Sequence, residues 1–175
     1  MVKELIIAPD WPTDLMLAAS EYLFLESKVN FLISQACRCF CSECKERCCG
    51  KEYCSESVSS CWLTIIWTLC GNNIFNYDEE KGWLSPYGCH LTAGRPPVCY
   101  DFFCNRLLEE DPIGTYVASL NKIANLPRLM GKNALGTRHL VTLSSREVFC
   151  LLNFNRLRNR MAKCLELCEQ CEKQL

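Results

Sequence analysis

The sequence predicts a mostly α-helical domain folded around an irregular, cysteine-rich centre. Three observations carry that expectation. Apolar residues recur at helical spacing near both ends of the chain. Alternating apolar and polar residues, the mark of half-buried strands, are scarce, and Arg138 to Leu143 is the one short candidate. Finally, 16 of the 175 residues are Cys, and twelve of these lie between positions 37 and 104. A chain of this length favours a single domain. Its parts read as an N-terminal helix (12–36), a cysteine-cluster region (37–104) and a helical C-terminal part (105–175).

The N-terminal helix has its start signals in Pro12, Thr13 and Asp14. Leu15, Ala19, Tyr22, Leu25 or Glu26, Val29 and Ile33 then recur on one face. The cysteine region is rich in Ser, Gly and Asn between apolar pieces, so loops are expected there. Asp111-Pro112-Ile113-Gly114, Leu126-Pro127 and the stretch from Gly131 to Gly136 break residues 105–145 into short helices and turns. Residues 145–175 read as one long helix, capped by Ser144 or Ser145, with Glu147 in its first turn.

Charge and hydropathy exclude some classes of function. A net charge of −1 argues against non-specific nucleic-acid binding, which needs a basic excess. The local cluster Arg156, Arg158, Arg160 and Lys163 reads as a solvated helix face. The apolar stretches Leu15 to Leu25 and Trp62 to Leu69 are too short to span a bilayer. Glu4 and the brief apolar run Leu5 to Ala8 do not make a signal peptide. The expectation is a soluble cytoplasmic protein in a reducing compartment, where cysteines serve as metal ligands rather than in disulfides.

The first cysteine run is Cys37-Arg-Cys39-Phe-Cys41-Ser-Glu-Cys44-Lys-Glu-Arg-Cys48-Cys49-Gly-Lys-Glu-Tyr-Cys54. Its core, Cys41 to Cys49, spells C-x2-C-x3-C-C. A two-residue gap lets two thiolates reach one metal from a single turn, as in zinc and iron–sulfur sites. The second run, Gly88-Cys89 to Cys104, spells C-x9-C-x4-C. There Gly88 and Gly94 permit tight turns, and Pro96-Pro97 stiffens the loop before any ligand arrives. Arg95 can donate hydrogen bonds to thiolate or sulfide, or form a salt bridge within the loop.

These residues resemble the YkgJ-type cysteine-cluster family, described as zinc- or iron-chelating. Cys41, Cys44, Cys48 and Cys49 match its early C-x2-C-x2-C-C run, with three residues instead of two before Cys48. Gly88-Cys89, Arg95-Pro96, Cys99 and Phe103-Cys104 match its later part. The resemblance spans roughly residues 41–104. It implies metal binding through Cys41, Cys44, Cys48, Cys49, Cys89, Cys99 and Cys104. Flagellin lysine methylases look like relatives with a similar module, although a shared module does not transfer chemistry.

Thiolates suit zinc, Cu(I) and iron–sulfur alike. Six or seven Cys exceed the needs of one tetrahedral zinc, which favours an iron–sulfur cluster of the 4Fe-4S type with a redox or enzyme-associated role. The alternatives are a structural zinc module for protein interaction and a thiolate-lined Cu(I) storage bundle. In every case the metal is expected to be coupled to the folding of residues 37–104.

Near the C-terminus Cys150, Phe154, Leu157, Met161, Cys164, Cys168 and Cys171 follow one helical seam, and are expected to pack in the core, with a second metal site facing the N-terminal helix as the alternative. Cys37, Cys41, Cys44 and Cys48 step similarly, which is what the storage bundle would use. His90 and His139 read as surface or packing residues. Gly131-x4-Gly136-Thr137 lacks the Lys of a phosphate loop. Asp78-Glu79-Glu80 and Glu109-Glu110-Asp111 read as solvated loops. Tyr53, Trp62, Trp67, Phe75 and Trp83 are expected to cover the metal site and keep water from it.

Overall fold

A computed structural model describes residues 11–41, 51–85, 88–101 and 114–175. Among these, six α-helices carry the fold: α1 (Thr13–Cys41), α2 (Lys51–Ser59), α3 (Cys61–Leu69), α4 (Thr115–Ala124), α5 (Leu126–Gly131) and α6 (Phe154–Glu172). The only strands described are β1 (Leu84–Ser85) and β2 (Gly88–Cys89). They pair antiparallel, with Leu84 opposite Cys89 and Ser85 opposite Gly88. Short 3-10 turns lie at Ile74–Asn76, Pro97–Tyr100, Leu140–Thr142 and Arg146–Leu151. The mostly helical expectation therefore holds.

The core forms where α1 packs on α6, α3, α4 and α5, and where α6 packs on α4 and α5. The buried face of α1 is Leu15, Ala18, Ala19, Tyr22, Leu25, Glu26, Val29, Leu32, Ala36 and Cys37. All but one of these are apolar or small, as expected of a helix with a single core-facing stripe. Trp62 stacks edge-on to Tyr22 at 5.5 Å and to Phe149 at 6.1 Å. Tyr22 Oη and Trp62 Nε1 are buried here without a hydrogen-bond partner among the described residues.

Four expectations are corrected. The N-terminal helix runs to Cys41, past position 36 and into the cysteine region. Two helices, Lys51–Ser59 and Cys61–Leu69, lie inside the expected loop region, because Trp62, Leu63, Ile65 and Ile66 supply a buried face and Ser60 caps α3 by accepting the Leu63 N–H at 3.2 Å. The long C-terminal helix starts only at Phe154. Asn153 caps it, accepting the Arg156 N–H at 2.9 Å, and residues 146–151 form a separate 3-10 turn. The candidate strand from Arg138 to Leu143 holds a 3-10 turn at Leu140–Thr142 instead.

That last turn is built by His139. Its Nδ1 accepts the Val141 N–H at 3.3 Å, and its Nε2–H donates to the Arg128 carbonyl at 2.9 Å. A local side-chain cap thus replaces the ladder a strand would need. The ring lies over Gly131, where an added Cβ would overlap Cε1. Burial, followed by the nearby Arg128 and Arg160 cations, holds His139 below its ordinary value, against the pull of its Arg128 hydrogen bond.

Candidate metal centre

The centre is the turn from Gly88 to Asp101, held between α1, α2, α3 and α5. Gly94 sits at φ +78°, a left-handed conformation that favours glycine. An added Cβ there would lie 2.7 Å from Trp67 Cβ and 2.8 Å from Trp67 N, so the loop backbone rests directly on α3. Pro96 holds φ −55° and ψ 143°, and Pro97 opens the 3-10 turn that carries Cys99, whose N–H donates to the Pro96 carbonyl at 2.9 Å. The tight turn expected at Gly94 is present.

What clamps this turn is Glu26 of α1, fully buried and 68 residues away in sequence. Its Oε2 accepts the Gly94 N–H at 2.8 Å, and its Oε1 accepts the Arg95 N–H at 2.8 Å and the Tyr100 hydroxyl at 2.9 Å. A buried carboxylate is tolerated only with such partners. Burial pushes its pKa up from the ordinary carboxylate value, while the three donors and the Arg95 charge pull it back. Burial, and the Glu26 charge beside it, hold the Tyr100 hydroxyl well above the ordinary tyrosine value, and it donates to the carboxylate.

Arg95 lies on the other side of the turn. Its Nε donates to the Leu91 carbonyl and its Nη1 to Asn30 Oδ1, both at 2.7 Å. Neither of these two bonds reaches a thiol, and neither is an ion pair. Its charge nevertheless lies close to Cys89 and Cys99. Burial lowers its basicity, and Tyr100, Cys89, Glu26 and Cys99 together more than restore it. At the far end of the turn Asp101 pairs with Arg128 of α5.

Cys54, in the first turn of α2, joins this site and was not among the expected ligands. It packs with Trp67, Trp83 and Leu91 in a small apolar cluster that also takes in Cys89 and Tyr77. Burial pushes its thiol up, and neighbouring Cys89 adds to this; the Trp83 backbone N–H, donating to the sulfur, acts the other way. Ser57 locks the cover in place. Its hydroxyl accepts Trp83 Nε1–H at 2.6 Å and donates to the Cys54 carbonyl at 2.6 Å, and its carbonyl accepts Trp67 Nε1–H at 3.1 Å. Cys70, at the end of α3, accepts the Thr92 hydroxyl from the same turn, while burial holds its thiol up.

Of the aromatic cover, Trp67 and Trp83 are in place, 5.5 Å apart, and Tyr77 joins them at 5.3 Å from Trp83. Trp62 belongs instead to the main core, and Phe75 is 88 % exposed because it rides on a surface turn. Tyr53 is half-buried and His90 exposed. Cys44, Cys48, Cys49 and Cys104 lie outside the described residues, as do Cys39 as a side chain and Glu109-Glu110-Asp111; of Cys41 only the backbone is described. Among the described residues, no group of three or more His, Cys, Asp or Glu is placed to hold a metal ion.

The C-terminal stripe divides. Cys164, Cys168 and Cys171 are buried in the main core, and burial pushes the Cys168 thiol up to about 11. Cys150 is exposed on the 3-10 turn, where its thiol donates to the Glu147 carbonyl, so it leaves the seam. Cys37 is buried beside Ala36 and Leu120. No helix among the described residues is long and apolar enough to cross a membrane. Comparisons with protein-family models, with curated proteins and with solved structures gave no significant match.

Proposed function

We propose that this chain binds metal through its cysteine thiolates, as an iron–sulfur cluster of the 4Fe-4S type. The observation that carries the reading is the Gly88–Asp101 turn. It presents Cys89 and Cys99 on a backbone stiffened by Gly94, Pro96 and Pro97, clamped by buried Glu26, with the Arg95 cation beside both sulfurs. A guanidinium beside two sulfurs stabilises negative charge there, and thiolates bound to iron carry such charge. Cys41 ends α1, Cys49 stands two residues before α2, and Cys104 follows Asp101 by three. The remaining proposed ligands thus adjoin, in sequence, the elements that hold the turn.

Cys41, Cys44, Cys48, Cys49, Cys89, Cys99 and Cys104 are the proposed ligand pool, and Cys54 is a neighbour available to it. Trp67 and Trp83 would exclude water, and Arg95 would favour the more negatively charged state of a bound cluster. Anaerobic purification followed by metal and sulfide analysis tests the reading. Stoichiometric iron and sulfide with a broad band at about 400 nm are expected. A colourless protein holding one zinc per chain would replace it with a structural zinc module, and several Cu(I) per chain would point to storage.

A further inference from the structure

The helix α1 carries a second feature, on the face turned away from the core. Leu17, Phe24 and Phe31 recur every seventh residue and remain 43 %, 60 % and 58 % exposed. Ser20, Ser27 and Ser34 recur at the same interval, three residues further on, with Ser20 and Ser34 exposed and Ser27 half-buried. A heptad interval keeps both rows on one side of a helix. The face therefore presents a ridge of large side chains beside a furrow of small ones, over a length of about 21 Å.

We propose that this face binds a second copy of the same chain, with the two α1 helices antiparallel about a two-fold axis. Antiparallel copies meet at positions whose numbers share a constant sum. At one register, Leu17 faces Ser34 of the other copy, Phe24 faces Ser27 and Phe31 faces Ser20. Every large residue then meets a small one, three times from each side. A parallel pairing would stack Phe on Phe and leave the serines facing each other. An isologous contact of this kind needs a self-complementary surface, and here all three large residues meet a serine at one register, against two at a register shifted by a heptad.

The flanking charges agree with the same register. Glu21 and Lys28 border the ridge on the α6 side, where they already bond Arg158 at 2.6 Å and Glu172 at 2.7 Å. In the antiparallel pair, Glu21 of one copy sits two residues, about 3 Å along the axis, from the level of Lys28 of the other, within reach of the lysine side chain, twice. Each ion pair then gains an opposite charge rather than a like one, which favours this orientation. The exposed parts of the three large side chains amount to roughly 300 Å² per copy, so the contact is a small one, of the weak and reversible class.

Sedimentation velocity on the full, metal-loaded chain in reducing buffer, from about 1 to 200 µM, tests the proposal. Wild type should move from monomer to dimer across that range. Phe24→Ser alone and Ser27→Phe alone should each raise the dissociation constant at least about tenfold. The double exchange F24S/S27F should restore association, since each crossing again holds one large and one small side chain. The same exchange at Phe31 and Ser20 provides an independent set, and circular dichroism checks that each variant folds. A wild type that stays monomeric throughout, single variants that associate as wild type does, or a double variant as weak as the singles would each overturn the proposal.

Discussion

Replacing Glu26 with Ala should destabilise this protein by about 3–5 kcal/mol. The figure follows from what the carboxylate holds. Two backbone N–H groups, from Gly94 and Arg95, and the Tyr100 hydroxyl all donate to it at 2.8 to 2.9 Å, in a site with no exposure at Glu26. A buried donor left without its acceptor costs about 1–3 kcal/mol. Loss of a carboxylate near the Arg95 guanidinium adds to this, although the losses overlap because the groups form one network. Glu26→Gln should cost less, about 1–2 kcal/mol. Its amide oxygen can still accept from Arg95 N–H and Tyr100, it escapes the desolvation of a buried charge, and only the Gly94 N–H would face an NH2 group. Urea unfolding followed by far-UV circular dichroism on anaerobically purified protein gives both values. The metal-to-protein ratio of the two variants should fall in the same order, since Cys89 and Cys99 ride on the turn that Glu26 holds. A Glu26→Ala variant within about 1 kcal/mol of wild type, or a Gln variant as damaged as the Ala one, would refute the reasoning.

Gly94→Ala should cost about 2–4 kcal/mol by the same measurement, because a left-handed φ is joined to backbone overlap with Trp67. Cys89→Ser and Cys99→Ser should lower the metal content, whereas Cys168→Ser, which puts a hydroxyl into the apolar core, should lower the melting temperature and leave the metal content unchanged. His139 should make stability pH-dependent. Its pKa is depressed in the folded state, so its contribution is complete above the unfolded value of 6.5 and is lost as the pH falls through 6.5 toward the folded value. Denaturation midpoints compared between pH 8 and pH 5 should therefore fall more steeply for wild type than for His139→Gln, by up to about 1.4 kcal/mol per pH unit. Trp83→Phe should cost about 1 kcal/mol, as the Ser57 hydroxyl loses its indole donor while the ring packing is largely kept.

Much of this architecture is legible in the sequence by itself. The periodic apolar positions of α1 and α6 are local signals, and a period of 3.6 residues needs no distant partner to be seen. The burial of Cys164, Cys168 and Cys171 follows from the same period. Gly94 and Pro96-Pro97 announce a stiff turn because each restricts, or frees, its own backbone. Other features were decided only by the tertiary structure. Glu26 falls on the buried stripe of α1, so its position is readable, but a buried carboxylate has meaning only through its donors, and these come from the turn at 94–100. Cys54 and Cys70 are ordinary members of a cysteine-rich sequence until α2 and α3 carry them to that turn. Residues 51–69 look like loop because Ser and Cys are weak helix formers, and burial of Trp62, Leu63, Ile65 and Ile66 overrides that preference. Propensity and spacing act within a few residues of each other. The satisfaction of a buried charge and the covering of a thiol act across the chain, and only the packed structure says which residues meet.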